Sequence, residues 1–181
     1  MKKINLFLIS YALVFFTVSC SSDDDGDVLN NPGTLSIGDT EIQLKAGALE
    51  NIESFNGITN FNLILLDSNI TIVQGQPFPE NNVITAINFE LFTDASQDLA
   101  EGVYLLDDSF EITPQTIGSV AILENVDVNS ETEIDEPPFF VEGSLEIISN
   151  GPQYEIEFSG VDNLGRDING SYQGTLTVIE E

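Results

Sequence analysis

The feature that most constrains this chain is a hydrophobic period of two running through its last 43 residues. Phe139, Val141, Gly143, Leu145 and Ile147 alternate with Glu142, Ser144 and Glu146. Tyr154, Ile156 and Phe158 alternate with Glu155 and Glu157; Ile168, Gly170, Tyr172, Gly174, Leu176 and Val178 continue the pattern. Successive side chains of a strand point to opposite faces, so this spacing gives each segment one apolar and one polar face. Two turn signals, Ser149-Asn150-Gly151-Pro152 and Asp162-Asn163-Leu164-Gly165, divide the region into a three-stranded antiparallel meander. A loop centred on Asn150-Gly151 pairs Ile147 with Tyr154, Leu145 with Ile156 and Gly143 with Phe158, so that inward residues meet inward residues.

The same period governs the chain upstream. Ile42, Leu44, Ala46 and Ala48 predict one half-buried strand, and Phe61, Leu63 and Leu65 begin another that runs on toward Ile70–Val73. Gln76-Pro77-Phe78-Pro79 is a break, after which Val83, Thr85, Ile87, Phe89 and Leu91 line one face of a long strand. Gly102–Leu106 and Ser119–Leu123 predict shorter strands, and the polar stretch Asp94–Leu99 is compatible with a single helical turn. Asn125–Pro138, acidic and without periodicity, reads as an exposed loop. No stretch after Cys20 carries helical spacing. The expectation is an all-β domain over 34–181 that ends in the C-terminal meander.

The amino-terminal region is of another kind. Lys2 and Lys3 precede an apolar run from Ile4 to Val18, and Ser19 precedes Cys20, the only cysteine. A hydrophobic stretch of this length fits a signal peptide better than a spanning helix, which needs about 20 residues. Thr17-Val18-Ser19-Cys20 resembles the lipobox of bacterial lipoproteins, with Thr17 where leucine is commonest. The resemblance implies cleavage between Ser19 and Cys20, a diacylglycerol thioether on Cys20 and an acylated new amino terminus. Ser21, Ser22, Asp23, Asp24 and Asp25 then resemble the surface-export signal of Bacteroidota lipoproteins, which implies the outer face of the outer membrane. On this reading residues 1–19 are a signal peptide and residues 20–33 a lipidated cysteine with an acidic, flexible tether. A third resemblance lies in Gly143-Ser144-Leu145-Glu146-Ile147, Tyr154-Glu155-Ile156, Gly165 and Ile168-Asn169-Gly170-Ser171-Tyr172-Gln173-Gly174-Thr175-Leu176. It is similar to a C-terminal pattern of uncharacterised Bacteroidota surface lipoproteins and implies an antiparallel β-sandwich of about eight or nine strands with the C-terminal meander, or alternatively a lipocalin-like β-barrel, with no activity attached.

Composition limits the chemistry. Cleavage before Cys20 removes 19 of the 181 residues, leaving Lys45 and Arg166 against all 31 acids, a balance of −29. Such a surface repels nucleic acid and anionic head groups, whose binding depends on Lys and Arg. The chain has no histidine, so Ser-His-Asp and Cys-His nucleophiles, and zinc sites built on His, are excluded. Carboxylate chemistry, such as a glycosidase pair, is what remains.

Within that limit the sequence offers few sites. The register above sets Glu146 opposite Glu155 on the outer face, with Glu142 and Glu157 near. Like charges facing each other are destabilising, and a bound calcium ion or plain solvation relieves them. A hydrolytic pair of glutamates is a further reading, disfavoured on an open face. Ser21-x-Asp23-x-Asp25-Gly26 and Gly165-x-Asp167-x-Asn169-Gly170 share the spacing of a calcium-loop start, but each lacks the first acid and the acid at position twelve. They read as a tether and a hairpin. Phe78 and the Phe139-Phe140 pair are the exposed-aromatic candidates for a glycan, since there is no tryptophan and Tyr154 and Tyr172 face inward. The functional expectation is a lipid-anchored, non-enzymatic surface domain that binds an extracellular glycan, protein or small ligand. A lipocalin-like carrier of an apolar molecule and a carboxylate-dependent glycoside hydrolase are the alternatives.

Overall fold

A computed structural model describes residues 32–73, 76–95, 97–109, 111–130 and 136–179. These residues are strand and loop throughout, with no helix among them. The strands are β1 (Gly33–Ile37), β2 (Thr40–Leu44), β3 (Ala46–Phe55), β4 (Ile58–Leu66), β5 (Ile70–Val73), β6 (Gln76–Pro79), β7 (Val83–Thr93), β8 (Gly102–Leu106), β9 (Thr116–Asp127), β10 (Phe140–Ser149), β11 (Tyr154–Asp162), β12 (Asp167–Gly174) and β13 (Leu176–Ile179). Eleven of them form one sheet in the order β13-β3-β4-β7-β9-β8-β10-β11-β12-β1-β2, and β5 and β6 form a separate hairpin. The large sheet is antiparallel except for β13 on β3 and β8 beside β9.

The chain's own connections force this sheet to curl. Lys45 alone separates β2, the edge at one end of the order, from β3, second from the other end. Thr175 alone separates β12 from β13 in the same way. One residue spans under about 4 Å, so the two ends of the sheet must come together, and the sheet closes into a half-barrel. Its inner faces meet in one core. Phe89 of β7 packs edge-on against Phe140 of β10 (ring centroids 6.1 Å apart) and Phe158 of β11 (5.2 Å). Leu35, Leu63, Leu65, Ile87, Leu91, Tyr104, Leu145 and Ile156 fill the space around them. Every inward tyrosine finds an acceptor for its hydroxyl, as a buried phenol must. Tyr104 donates to the Ala100 carbonyl (2.9 Å), Tyr154 to Asp98 (2.6 Å) and Tyr172 to the Thr175 carbonyl (2.7 Å).

The all-β class, the meander β10-β11-β12 and both of its turns agree with the sequence, and the structure divides the domain more finely. The predicted strand through Ile42 and Ala48 is broken at Lys45, whose amide donates to the Leu66 carbonyl. The break reverses the alternation: Gly47 and Leu49 face the core, while Ala46 packs into an outer cluster with Leu66, Ile84, Ala86, Leu123 and Ile70. The segment from Phe61 to Val73 likewise divides into β4 and β5. Gln76–Pro79, expected as a break, is strand β6, paired with β5 and placed by Ile70 over that outer cluster. Prolines are tolerated there because a two-stranded hairpin is all edge. Asp94–Leu99 forms no helix among its described residues, and Leu99 is wholly buried. The loop expected from Asn125 begins only after Asp127, where β9 ends.

Two corrections fall on the meander. The observed register pairs Leu145 with Phe158, Ile147 with Ile156 and Gly143 with Gly160. That is two residues away from the pairing the turn alone suggests. The loop is 150–153 rather than one centred on Asn150-Gly151, and moving its centre by one residue moves the pairing by two; a bulge lies between Ile147 and Ser149. A two-residue slip leaves every side chain on its own face, so hydrophobic alternation cannot choose between the registers. Packing chooses. Gly143 and Gly160 face each other beneath the Phe140 ring, and a Cβ on Gly143 would stand 2.6 Å from Phe140 Cδ2. At the other end of β10 a second bulge, between Phe140 and Glu142, reverses the alternation. Phe140 therefore turns into the core, and Phe139 and Val141, expected inward, are exposed at 47% and 55%.

Candidate functional site

The bulge that exposes Val141 also opens the sheet. β8 lies between β9 and β10 but ends at Leu106. It pairs with β9 only at Leu105–Thr116 and Leu106–Ile117, and with β10 only from Gly102 to Leu105. Beyond that point β9 and β10 converge until Ala121 bridges Phe139 and the Ile122 amide reaches the Pro138 carbonyl (2.8 Å). Between the end of β8 and that bridge, Gly118–Val120 and Val141–Gly143 have no strand partner on the facing side among the described residues.

A groove of about 650 Å³ occupies this seam. Phe92, Val120, Phe139, Phe140 and Val141 form its floor, with Leu106 at the end of β8 and Ile112 in the β8–β9 connection beside them. Its polar groups are acidic (Glu90, Asp107, Asp108, Glu111) or hydroxyl (Thr116, Ser119), and no lysine or arginine lines it. The floor is held firmly. A Cβ on Gly118 would lie 2.6 Å from Phe92 Cε2, so the glycine allows the ring to cover β9. Glu90 accepts from Asn60 Nδ2 and Ser119 Oγ, both at 3.0 Å, one on each carboxylate oxygen. The Asp107 carboxylate accepts the Ser109 amide (2.9 Å), and hydrogen bonding from the Ser109 side chain and backbone holds its pKa below the ordinary value.

Phe139 is fixed from the β11–β12 turn. Its amide donates to Asn163 Oδ1 (3.2 Å), and the Asn163 amide donates to its carbonyl (2.8 Å). That turn is built on Asp162, whose side chain is wholly buried. Its Oδ1 accepts the amides of Leu164 (3.0 Å) and Arg166 (2.8 Å), and its Oδ2 accepts Arg166 Nε (2.7 Å). Burial alone would raise the pKa of this carboxyl; the bonds from Arg166 and Leu164 outweigh it and hold it below the ordinary value. Arg166 also reaches Glu124 of β9 at 2.7 Å, so one guanidinium ties the turn to the strand beside the groove.

The glutamates singled out from sequence lie elsewhere. Glu146 pairs with Glu157, not Glu155, because of the register shift; Glu155 stands opposite Gln173 and Ser149. Glu146 and Glu157 border a shallow groove of about 510 Å³ on the outer face. Its other polar lining is Thr34, Ser36, Ser144, Ser159, Asn169 and Ser171. Among the described residues no cluster of three or more acidic, histidine or cysteine side chains is arranged to hold a metal ion. Asp167 and Asn169, in the second calcium-loop lookalike, are ladder positions of β12. Phe78 is exposed on β6, and of the Phe139-Phe140 pair only Phe139 is exposed. Ser19, Cys20, Ser21, Ser22, Asp23, Asp24 and Asp25 lie outside the described residues.

The seam groove was not legible from periodicity, because the β7, β8, β9 and β10 regions all contribute to it. Its one sequence signal is the unbroken apolar run Phe139-Phe140-Val141, which a regular half-buried strand does not need. No family model, characterised protein or solved structure matches the chain.

Proposed function

We propose that this chain is a lipid-anchored cell-surface β-domain that acts by binding, with the seam groove as its contact surface. The observation that carries the reading is the apolar lining of the groove. Phe139, Val141 and Ile112 are exposed at 47%, 55% and 47% in a concave, rigidly supported site. Contiguous apolar surface rimmed by polar groups marks interaction sites on soluble domains. The lipobox-like Thr17-Val18-Ser19-Cys20 supplies the anchor in this reading, and the acidic residues after it the tether. The carrier alternative needs an empty interior, whereas the rings of Phe89, Phe140 and Phe158 meet across the core. The hydrolase alternative needs an enclosed carboxylate pair, and the outer face around Glu146 and Glu157 offers only a shallow groove.

Two measurements test the proposal. Cells given an alkyne-bearing fatty acid should label the wild-type chain and carry it in the membrane fraction, and C20S should lose both; a labelled C20S chain refutes the anchor. Nile red, a neutral apolar dye, should brighten on the protein, and the double variant F139S/V141S should remove most of that signal. An unchanged signal in the double variant refutes the groove as the contact surface.

A further inference from the structure

Resting on the binding reading above, we infer that the seam groove takes an extended peptide segment that presents basic and apolar side chains together on one face. Charge complementarity supplies the first argument. The carboxylates of Glu90, Asp107, Asp108 and Glu111 border the groove with no cation among its lining residues. Arg166, on the turn that fixes Phe139, is engaged by Asp162 and Glu124. An anionic ligand meets only repulsion there, and opposite charge across an interface speeds encounter and fixes register.

The shape of the seam supplies the second argument. The line of β8 stops at Leu106 with one more ladder bond, from the Asp107 amide to the Ile117 carbonyl (3.0 Å). Beyond it Gly118–Val120 and Val141–Gly143 present strand edges without a strand partner among the described residues. Exposed edges pair with extended backbone, and pockets beside them read alternate side chains. The pleat of an extended segment sends successive side chains to opposite sides. One set then faces the groove, where Phe139 and Val141 meet its apolar members and the carboxylates its basic ones.

The test titrates the full chain with three labelled hexapeptides, followed by fluorescence anisotropy in about 0.15 M salt, which screens distant charges. In all three peptides serine holds every second position, and the positions between carry arginine and leucine in turn, arginine alone, or leucine alone. The arginine–leucine peptide should bind at least tenfold more tightly than either of the others. D108N/E111Q should weaken it at least fivefold. E41Q/E53Q, which removes the same charge from β2 and β3 outside the groove, should weaken it less than twofold. F139S/V141S should also lose it, while circular dichroism shows the fold retained. Equal losses in D108N/E111Q and E41Q/E53Q, or an arginine–serine peptide as tight as arginine–leucine, overturn the inference by showing unspecific charge attraction. Failure of all three peptides overturns it too. A leucine–serine peptide as tight as arginine–leucine and sensitive to F139S/V141S overturns the basic-peptide assignment while the binding reading stands. Nile red bright on the wild type and lost in F139S/V141S separates the two failures in every case.

Discussion

Asp162 offers the sharpest test of how this fold holds its candidate site, through the substitution Asp162→Asn. Asparagine keeps the shape and one acceptor oxygen, so the amides of Leu164 and Arg166, both on Oδ1, retain a partner. The bond from Arg166 Nε to Oδ2 at 2.7 Å is lost, and an NH2 group now faces that guanidinium donor. A hydrogen bond to a charged group contributes about 1.5–3 kcal/mol. The expected loss is therefore about 2–3 kcal/mol, and removing a buried partner altogether, as in Asp162→Ala, costs about 3–5 kcal/mol. For a domain of this size the Asn variant should melt about 4–12 °C lower. Urea or thermal unfolding followed by circular dichroism measures it. The pH dependence is a second, independent reading. The folded pKa of Asp162 is lowered, so its stabilisation is complete above the ordinary unfolded value and disappears as pH falls through the folded one. The gap between wild type and Asp162→Asn should thus stay constant from about pH 8 to about pH 5 and shrink only below about pH 4. The gap is the quantity to compare, because acid also relaxes the general repulsion among the many carboxylates of both proteins. A loss under about 0.5 kcal/mol, the usual scatter of surface changes, would refute the argument. So would a gap that closes between neutral pH and about pH 5.

Three further predictions follow from the core. Gly160→Ala places a methyl group against the Phe140 ring and the Glu142 carbonyl and should cost about 1–3 kcal/mol by overpacking; Ser159→Ala on the exposed face beside it should stay within about 0.5 kcal/mol, and equal melts for the two would contradict the glycine pairing. Phe89→Ala removes the ring that meets both Phe140 and Phe158 and should cost about 3–5 kcal/mol in chemical denaturation, with a loss under about 1 kcal/mol showing a loosely packed interior. Burial pushes the Tyr172 phenol up to about 12, so unfolding releases a proton that the folded state keeps; stability should fall as pH rises above the ordinary value of about 10. Tyr172→Phe should flatten that alkaline loss, and an unchanged slope would show that the phenol ionises as readily when folded.

The seam groove shows where reading a strand pattern stops being informative. A period of two states that a residue is in or out relative to its neighbours, and a bulge resets that reference by one position. Phe139 and Val141 obey the pattern of Gly143 and Leu145 in sequence, yet the bulge between Phe140 and Glu142 sends them to solvent. The Glu146–Glu155 pairing fails for a different reason. A slip of two residues preserves every face, so Glu157 replaces Glu155 opposite Glu146 without any change in amphipathicity. Lys45 is a third case: nothing in Ile42–Ala48 announces that the chain leaves one end of the sheet there and enters the other.

The sequence by itself determined the all-β class, the C-terminal meander with both of its turns, and the scarcity of chemistry, because periodicity, turn residues and composition are local properties. It also determined that Asp162-Asn163-Leu164-Gly165 turns the chain, since Gly165 adopts a φ of 77° that glycine accommodates without a Cβ clash. Only the tertiary structure decided the curl of the sheet, the register under Phe140 and the opening beside β8. Each of these depends on which distant strands meet, as when the aromatic rings of β7, β10 and β11 converge above paired glycines. A half-barrel closes around those rings, and the strand that fails to span it leaves the seam.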